Sequence, residues 1–325
     1  MTKKNRPMRV KLIANPGAGD VATAASRLDQ VTRYLLDYGL RVDVALAKPK
    51  KEATPIARKA VKDGYDVVIA MGGDGTLGAV ISGIVGSKAH LGIIAAGTEN
   101  DIAASLGIPK DLKEACAMIA SGHTRRLDVG KVSTKKTKKS YFFMLTAIGL
   151  TATIYPMIKE VPKGNLEGIK DAVSTLLKFE PKPKVFLTLD DESEIEVETM
   201  LVTVTNIPLI GARNLVAPDA SSEDGLLDIA VYPDFNKAEL ISYFAKTTNE
   251  GSTSDKTIQR YRARKIKVKT SPKLDVAAEG ILLGKGTCWI KLLPGALRVI
   301  APEPGKGAEK PEEKHGIQMP APISP

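Results

Sequence analysis

Val67-Val68-Ile69-Ala70-Met71-Gly72-Gly73-Asp74-Gly75-Thr76-Leu77 is the stretch from which the fold of this 325-residue chain is read. An apolar, largely β-branched run drops into two glycines, an acid, a third glycine and a hydroxyl. Apolar residues at helical spacing then resume with Leu77, Val80, Ile81 and Ile84. That order spells a buried parallel strand, a tight turn and an opening helix. Glycines let the backbone approach a ligand closely. A helix start offers unpaired N–H groups and the positive end of a dipole, so phosphate suits the turn. Asp74 is the discordant member. A carboxylate beside phosphates repels them unless a cation or a polar network intervenes; otherwise it serves only to hold its own loop together. A single turn of this kind is too common to name a function.

Upstream, a strand Arg9–Ala14 runs into Asn15-Pro16-Gly17-Ala18-Gly19-Asp20. The spacing of Ala24, Leu28, Val31, Tyr34 and Leu35 predicts a helix from about Val21 to Tyr38, capped by Gly39. A strand Arg41–Ala47 and a helix around Ala53–Asp63 follow. Downstream, a strand Leu91–Ala95 ends in Ala96-Gly97-Thr98-Glu99-Asn100-Asp101, which opens a helix reaching Leu106. Another helix begins at Lys110-Asp111-Leu112 and ends near Gly122. The alternation predicts a doubly wound, Rossmann-like α/β domain over residues 9–130. Ligands of such sheets gather at the carboxyl ends of the strands, and here three of those ends carry polar glycine turns.

After Gly130 short β-type runs replace the alternation: 131–133, 141–146, 185–189, 200–206, 227–231, 265–269 and 288–293. Helices are expected around Leu166–Phe179 and Lys237–Thr247. This predicts an antiparallel β-sandwich over residues 131–302, with its last strand at liberty to return to the first domain. The lysine-rich segment Ser133–Lys139 reads as a hairpin tip, either solvated or in contact with phosphate or membrane. Residues 303–325 are Pro, Gly, Lys and Glu with little to bury, and are expected to be disordered.

Composition excludes several classes. Two distant cysteines, Cys116 and Cys288, make neither a disulfide framework nor a zinc site, and a reducing cytoplasm fits them best. The three histidines are far apart in sequence, which argues against histidine-based nucleophilic catalysis. No apolar run approaches the roughly 20 residues of a membrane span, and the basic start leads into a strand-like segment, not a cleavable apolar one. The net charge of +10 serves solubility or attracts anions. Aromatic residues are only 5% of the chain and do not interleave with the basic ones, so nucleic acid is not expected as a partner.

Several blocks together carry a resemblance. Asn15-Pro16 with Gly19, Gly72–Thr76, Gly97-Thr98-Glu99-Asn100-Asp101-Ile102-Ala103 and Leu106-Gly107-Ile108-Pro109 come first. Asp128, Ala217-Pro218-Asp219-Ala220, Asp224-Gly225-Leu226-Leu227-Asp228 and Leu293-Pro294-Gly295-Ala296-Leu297 follow in order. Over residues 9–302 the chain resembles the diacylglycerol kinase catalytic family, in its bacterial lipid-kinase branch, with sphingosine and ceramide kinases as relatives and NAD kinases as distant ones. The resemblance implies a nucleotide-binding α/β domain, a β-sandwich domain and an active site in the cleft between them. It implies transfer of the γ-phosphoryl group of ATP, with Mg2+, to a lipid alcohol, a reaction that needs positioning and charge neutralisation. The implied nucleotide-side residues are Asn15, Gly17, Gly19, Gly72, Gly73, Asp74, Gly75, Thr76, Leu77, Thr98, Asn100, Asp101 and Asp128. Asp74 is also the implied catalytic acid. As plain structure, Asp101 and Asp128 are equally an N-cap and a strand-end acid. The loop Ser221–Leu226 resembles a metal loop with ligands at Asp224 and the main-chain oxygens of Ser221 and Leu226, and is otherwise a β-turn at Asp224-Gly225.

The chain departs from the family at the base. Relatives usually carry Asp-Gly-Glu where this sequence has Glu279-Gly280-Ile281. Glu279 falls at the aspartate's place and is the candidate base; Ile281 cannot accept a proton. Ala47 stands where relatives often have a threonine. Three readings follow: a lipid kinase making transient contact with an anionic membrane at the inner face, a kinase-like regulatory protein with weak or lost catalysis, and an NAD kinase. Oligomeric state stays open, a homodimer among the options.

Overall fold

Strand β1 (Arg9–Ala14) opens the chain and lies between β2 (Arg41–Leu46) and β3 (Val67–Gly72), all parallel, in the computed structural model. This structure describes residues 8–150, 152–153, 183–210, 214–215, 217–232 and 258–303. The helices expected around 166–179 and 237–247, and all but the first residue of the expected tail, lie outside these.

Helix α1 (Ala24–Asp37) joins β1 to β2, and a π-helical turn, Pro49–Ala53, leads into α2 (Thr54–Lys62). α1 starts three residues later than its apolar spacing suggests. Asp20 accepts hydrogen bonds from the Ala22 N–H and the Thr23 hydroxyl and holds those residues in a turn. α3 (Asp74–Ile84) leaves β3, β4 (His90–Ala95) pairs parallel with β3, and α4 (Asp101–Ser105) and α5 (Leu112–Ser121) follow. Every residue of β3 is buried, as a central parallel strand requires. Ala57, Ala60, Leu77, Val80, Ile81 and Ile84 pack one face of this sheet, against Val68, Ala70, Leu91 and Ile93. Val31, Leu35, Cys116 and Ile119 pack the other, against Val10, Leu12, Ile69 and Ile94.

The second half begins inside a strand. β5 (Thr124–Thr134) is followed by β6 (Ser140–Phe142), β7 (Leu145–Gly149), β8 (Lys184–Leu189), β9 (Ser193–Glu198) and β10 (Leu201–Thr205). Then come β11 (Leu209–Ile210), β12 (Asn214–Leu215), β13 (Leu227–Val231), β14 (Gln259–Ala263) and β15 (Lys265–Ser271). β16 (Asp275–Ala278), β17 (Ile281–Lys285) and β18 (Cys288–Ile300) finish the described chain. One sheet runs β2-β1-β3-β4-β18-β15-β8-β9 with β5 attached to β18 and β6 to β5; the other runs β14-β13-β10-β7-β16-β17. Val132, Val185, Leu187, Ile266, Val268, Ile290 and Leu292 of the first sheet meet Ile148, Val202, Val204, Ile229 and Val276 of the second. This is the antiparallel sandwich, joined to a mixed α/β unit.

The apolar runs at 131–133 and 288–293 belong to much longer strands. β5 and β18 pair antiparallel from Thr124↔Ile300 to Thr134↔Cys288. Leu127, Val129, Leu297 and Val299 belong to the core of the α/β unit, whereas Val132, Ile290 and Leu292 belong to that of the sandwich. β18 also pairs parallel with β4 at Arg298↔His90. Pro294-Gly295 reads as a breaker, yet it lies where the β5–β18 register shifts, between Leu293 and Leu297, and a bulge tolerates both residues. The run 141–146 is two strands, because the N–H groups of Phe143 and Met144 turn to the Glu279 carboxylate, away from any ladder.

Candidate active site

Neighbouring parallel strands put their carboxyl ends side by side, and the order β1-β3-β4 brings the three glycine turns together. The ladders run on into the loops. Asn15 N–H donates to the Met71 carbonyl at 3.0 Å, and Ala96 N–H to the Gly72 carbonyl at 3.0 Å. Asn15 Oδ1 accepts the Gly17 N–H at 3.0 Å, while its Nδ2 donates to Thr76 Oγ1 at 3.3 Å. Asn100, in the left-handed region with φ of 58°, bonds both ways to Gly97 and closes its own turn. Gly73 and Gly97 touch. A Cβ built on Gly97 would lie 2.4 Å from the Gly73 Cα, so side chains here would force the two turns apart. On Gly72 a Cβ would lie 2.4 Å from Thr76 Oγ1.

Asp74 is buried at the first position of α3, and its Oδ1 accepts the Ile102 N–H in the first turn of α4 at 3.0 Å. One carboxylate oxygen from each of Asp74, Glu99 and Asp101 lies within 4.8 Å of the others. These carboxylates form an all-oxygen donor set of the kind that suits Mg2+. Asp74 and Asp101 were expected near the nucleotide. Glu99 was not singled out, since nothing in its sequence position separates it from a solvated loop acid.

The remaining expected residues divide. Gly17, Gly19, Gly75 and Thr98 lie exposed on the lips of the turns. Leu77 does not face the site: its side chain is in the core and its N–H bonds to the Gly73 carbonyl. Asp128 is engaged in the second half of the molecule. Its Oδ1 accepts the Gly295 N–H at 2.7 Å and its Oδ2 the Gly225 N–H at 2.8 Å. It therefore knits the Asp224 turn to the β18 bulge and lies outside the Asp74 cluster. Arg27, which no motif marks, holds the site from behind. Its guanidinium donates to the carbonyls of Ala18, Asp20 and Ala96, joining the turn after β1 to that after β4.

The loop 221–226 fits an ion poorly. Asp224 Oδ1 accepts the Leu226 N–H at 3.0 Å, and Oδ2 pairs with Arg262. Arg262 also reaches Asp228 at 3.2 Å, and Arg264 donates to the Gly225 carbonyl at 3.1 Å. Guanidinium groups thus supply the positive charge expected from a metal. Burial pushes the Asp228 carboxyl above its ordinary value, against the pull of Arg262, and Asp224 and Asp219 add to the rise.

Glu279 lies opposite the α/β turns. Its Oε1 accepts N–H groups from Phe143 at 2.9 Å and Met144 at 2.8 Å, with Leu145 longer at 3.4 Å. Its Oε2 is 3.7 Å from where a Cβ would stand on Gly78, one turn along α3 from Asp74. The residue holds a φ of 51° in the turn between β16 and β17. Left-handed backbone costs a non-glycine roughly 1–2 kcal/mol, here offset by charge-assisted bonds. Ile281, two residues on, is 42% exposed and packs in no core. A depression of about 240 Å³ beside Asn15 is walled by Ala14, Ala24, Leu28, Leu46 and Met71, enough room for a flat ring.

Comparison with known proteins places these features in context. Residues 9–132 match the diacylglycerol kinase catalytic domain family, and residues 149–301 match the YegS C-terminal NAD kinase beta sandwich-like domain. A diacylglycerol kinase of Staphylococcus saprophyticus is 30% identical over 287 residues, covering 85% of this chain and 90% of the relative. The crystal structure of a putative diacylglycerol kinase from Bacillus anthracis superposes with a TM-score of 0.73 at 25% identity, covering 92% of this chain and 99% of that one. An NAD kinase from Archaeoglobus fulgidus, solved with ATP, shares the fold alone, at 14% identity and a TM-score of 0.54 over 91% of this chain and 94% of that one.

Proposed function

The chain belongs to the diacylglycerol kinase family, and from that premise we propose that it transfers the γ-phosphoryl group of ATP to the hydroxyl of diacylglycerol or a related lipid alcohol. The observation that carries this reading is one geometry: two polar glycine turns and a carboxylate triad on one side, and Glu279 facing the same helix from the other. The backbone N–H groups of the Gly72–Thr76 and Gly97–Asp101 turns suit phosphate oxygens, and Asn15 and Thr76 add dipoles without negative charge. The apolar depression beside Asn15 suits a purine. Asp74, Glu99 and Asp101 would hold a divalent cation, which when bound neutralises charge on the transferring phosphoryl group.

Glu279 is the group suited to take the acceptor proton. The N–H donors on Oε1 fix the carboxylate and turn Oε2 toward α3. A general base needs that kind of positioned oxygen within reach of the hydroxyl. Ile281, two residues on and 42% exposed, supplies no second carboxylate, so in this reading Glu279 acts as the base alone. A kinase-like regulator without turnover is the reading to which the isoleucine lends weight.

Incubation with labelled ATP and Mg2+ and either extracted lipids or NAD tests the proposal. Label in a lipid monoester supports it. Label in NADP would move the assignment to the soluble acceptor, and nucleotide binding without transfer to any alcohol would favour the regulator.

A further inference from the structure

Asn206 is the residue by which the sheet holding β10 reaches across to β5. It follows β10 directly, and it is fully buried. The residues around it make an amide there a poor choice for packing. Val202 and Val204 belong to the core of the sandwich, and Ile207 belongs to that of the α/β unit. An apolar side chain would suit the seam between two cores. Asn206 Nδ2 donates to the Asp128 carbonyl at 3.0 Å, but Oδ1 has no partner among the described residues. A buried amide oxygen without a donor works against stability. The amide therefore contributes something other than packing.

What the amide holds is the segment that seats Glu279. Asp128 is a fixed post: its N–H donates to the Ser222 carbonyl at 2.7 Å, and its carboxylate accepts the Gly225 and Gly295 N–H groups. Anchored to that post, Asn206 donates its own N–H to the Met144 carbonyl at 3.1 Å, one rung beyond the Thr205↔Leu145 pair. The Met144 carbonyl and the Leu145 N–H belong to one planar peptide group. That group directs the Leu145 N–H at Glu279 Oε1, 3.4 Å away, beside the closer N–H groups of Phe143 and Met144. The Leu145 carbonyl in turn accepts the Glu279 N–H at 3.1 Å. A line of hydrogen bonds thus runs from Asp128 through Asn206 and residues 143–145 to the carboxylate. We propose that Asn206 is a positioning residue for phosphoryl transfer: its amide locks residues 143–145 to Asp128 and so keeps Glu279 Oε2 turned toward α3 and the acceptor. This deepens the lipid-kinase reading and rests on Glu279 as its base.

Asn206→Leu tests this in the full-length chain, because leucine has the same branched outline and leaves the main-chain N–H of position 206 in place. It removes the Nδ2 bond together with the unpartnered oxygen, so the urea midpoint should stay near native. Misplacing a catalytic group by about 1 Å costs about a hundredfold, so kcat for diacylglycerol should fall about 10- to 100-fold. The KM for ATP should stay within about twofold, because the nucleotide turns lie in the other unit. In a Glu279→Gln background the same substitution should cost less than about twofold, since no base remains to be aimed. A purely structural role gives equal losses in both backgrounds. That result overturns the proposal, as does native kcat in Asn206→Leu or a loss confined to the KM for ATP. Should leucine prevent folding, Asn206→Ser enters the same cycle with the same expectations. Nuclear magnetic resonance gives a readout independent of turnover. The Phe143 and Met144 amide protons, held by a carboxylate, should resonate downfield in the native chain and move upfield in Asn206→Leu. Unmoved resonances overturn the proposal. Should the native chain phosphorylate no alcohol while these resonances move, the hold on Glu279 stands and the kinase reading falls.

Discussion

Replacing Glu279 separates its chemistry from its structural duty. In Glu279→Gln the side-chain carbonyl still accepts the N–H groups of Phe143 and Met144, 2.9 and 2.8 Å away in the native chain. What is lost is a charge and a proton acceptor. General-base assistance is worth about 10²–10⁴ in rate, so kcat for a lipid alcohol should fall by that factor with the KM for ATP unchanged. Exchanging charge-assisted for neutral hydrogen bonds should cost about 1–2 kcal/mol of stability. Glu279→Ala leaves two close N–H donors without the carboxylate, at about 1–3 kcal/mol each. Its destabilisation should reach about 3–5 kcal/mol, and it retains the left-handed backbone. Glu279→Gly removes the same bonds but relieves that backbone, so it should recover about 1 kcal/mol relative to alanine. Urea denaturation ranks the three, and single-turnover transfer from labelled ATP measures the chemistry. Native kcat in the glutamine variant would refute the base assignment; an alanine variant as stable as the native chain would refute the account of the turn.

Asp74→Asn keeps an acceptor for the Ile102 N–H but removes one of three clustered charges; transfer should fall at least about 100-fold and Mn2+ affinity in the nucleotide complex should weaken, read by electron paramagnetic resonance. Gly97→Ala puts a methyl group 2.4 Å from the Gly73 Cα, so the KM for ATP should rise about tenfold or more while the acceptor KM stays put. Arg262→Met strips the partner from Asp224 and Asp228 and should cost about 1–2 kcal/mol at pH 7, a value discounted for the 42% exposure of the arginine side chain. The sign with pH follows from Asp228, whose folded-state pKa lies above the ordinary 3.8: the stability tied to its neutral form is present at low pH and lost as pH rises through that range. The Arg262→Met deficit should therefore shrink in urea melts as pH is lowered toward 4. Burial pushes both thiols up to about 12, so Cys116 and Cys288 should resist a thiol reagent in the native protein and react only on unfolding.

The α/β unit and its nucleotide turns were legible because their signals are local. Val67–Gly72 is apolar throughout, Gly72–Thr76 announces its own turn, and helical spacing marks α1 and α3 without reference to distant residues. The motif residues Asn15, Asp74, Thr76 and Asp101 do gather around adjacent strand ends, as parallel topology requires. Short antiparallel strands carry less information. Their partners are remote, and a hairpin such as β16–β17 is too brief for its alternation to stand out. No local pattern could show that β5 and β18 thread both cores, that Arg262 covers Asp224, or that Glu99 completes a carboxylate triad. Each depends on residues tens to hundreds of positions apart. Ile281 illustrates the division most clearly. The linear order marked it as a missing acid, whereas the folded chain leaves it 42% exposed at the start of β17. Backbone propensity and side-chain periodicity are properties of neighbours along the chain, and they chose the elements. Which charges meet, which turns touch and which apolar side chains stay in water are properties of packing, and only the assembled sheets decide them.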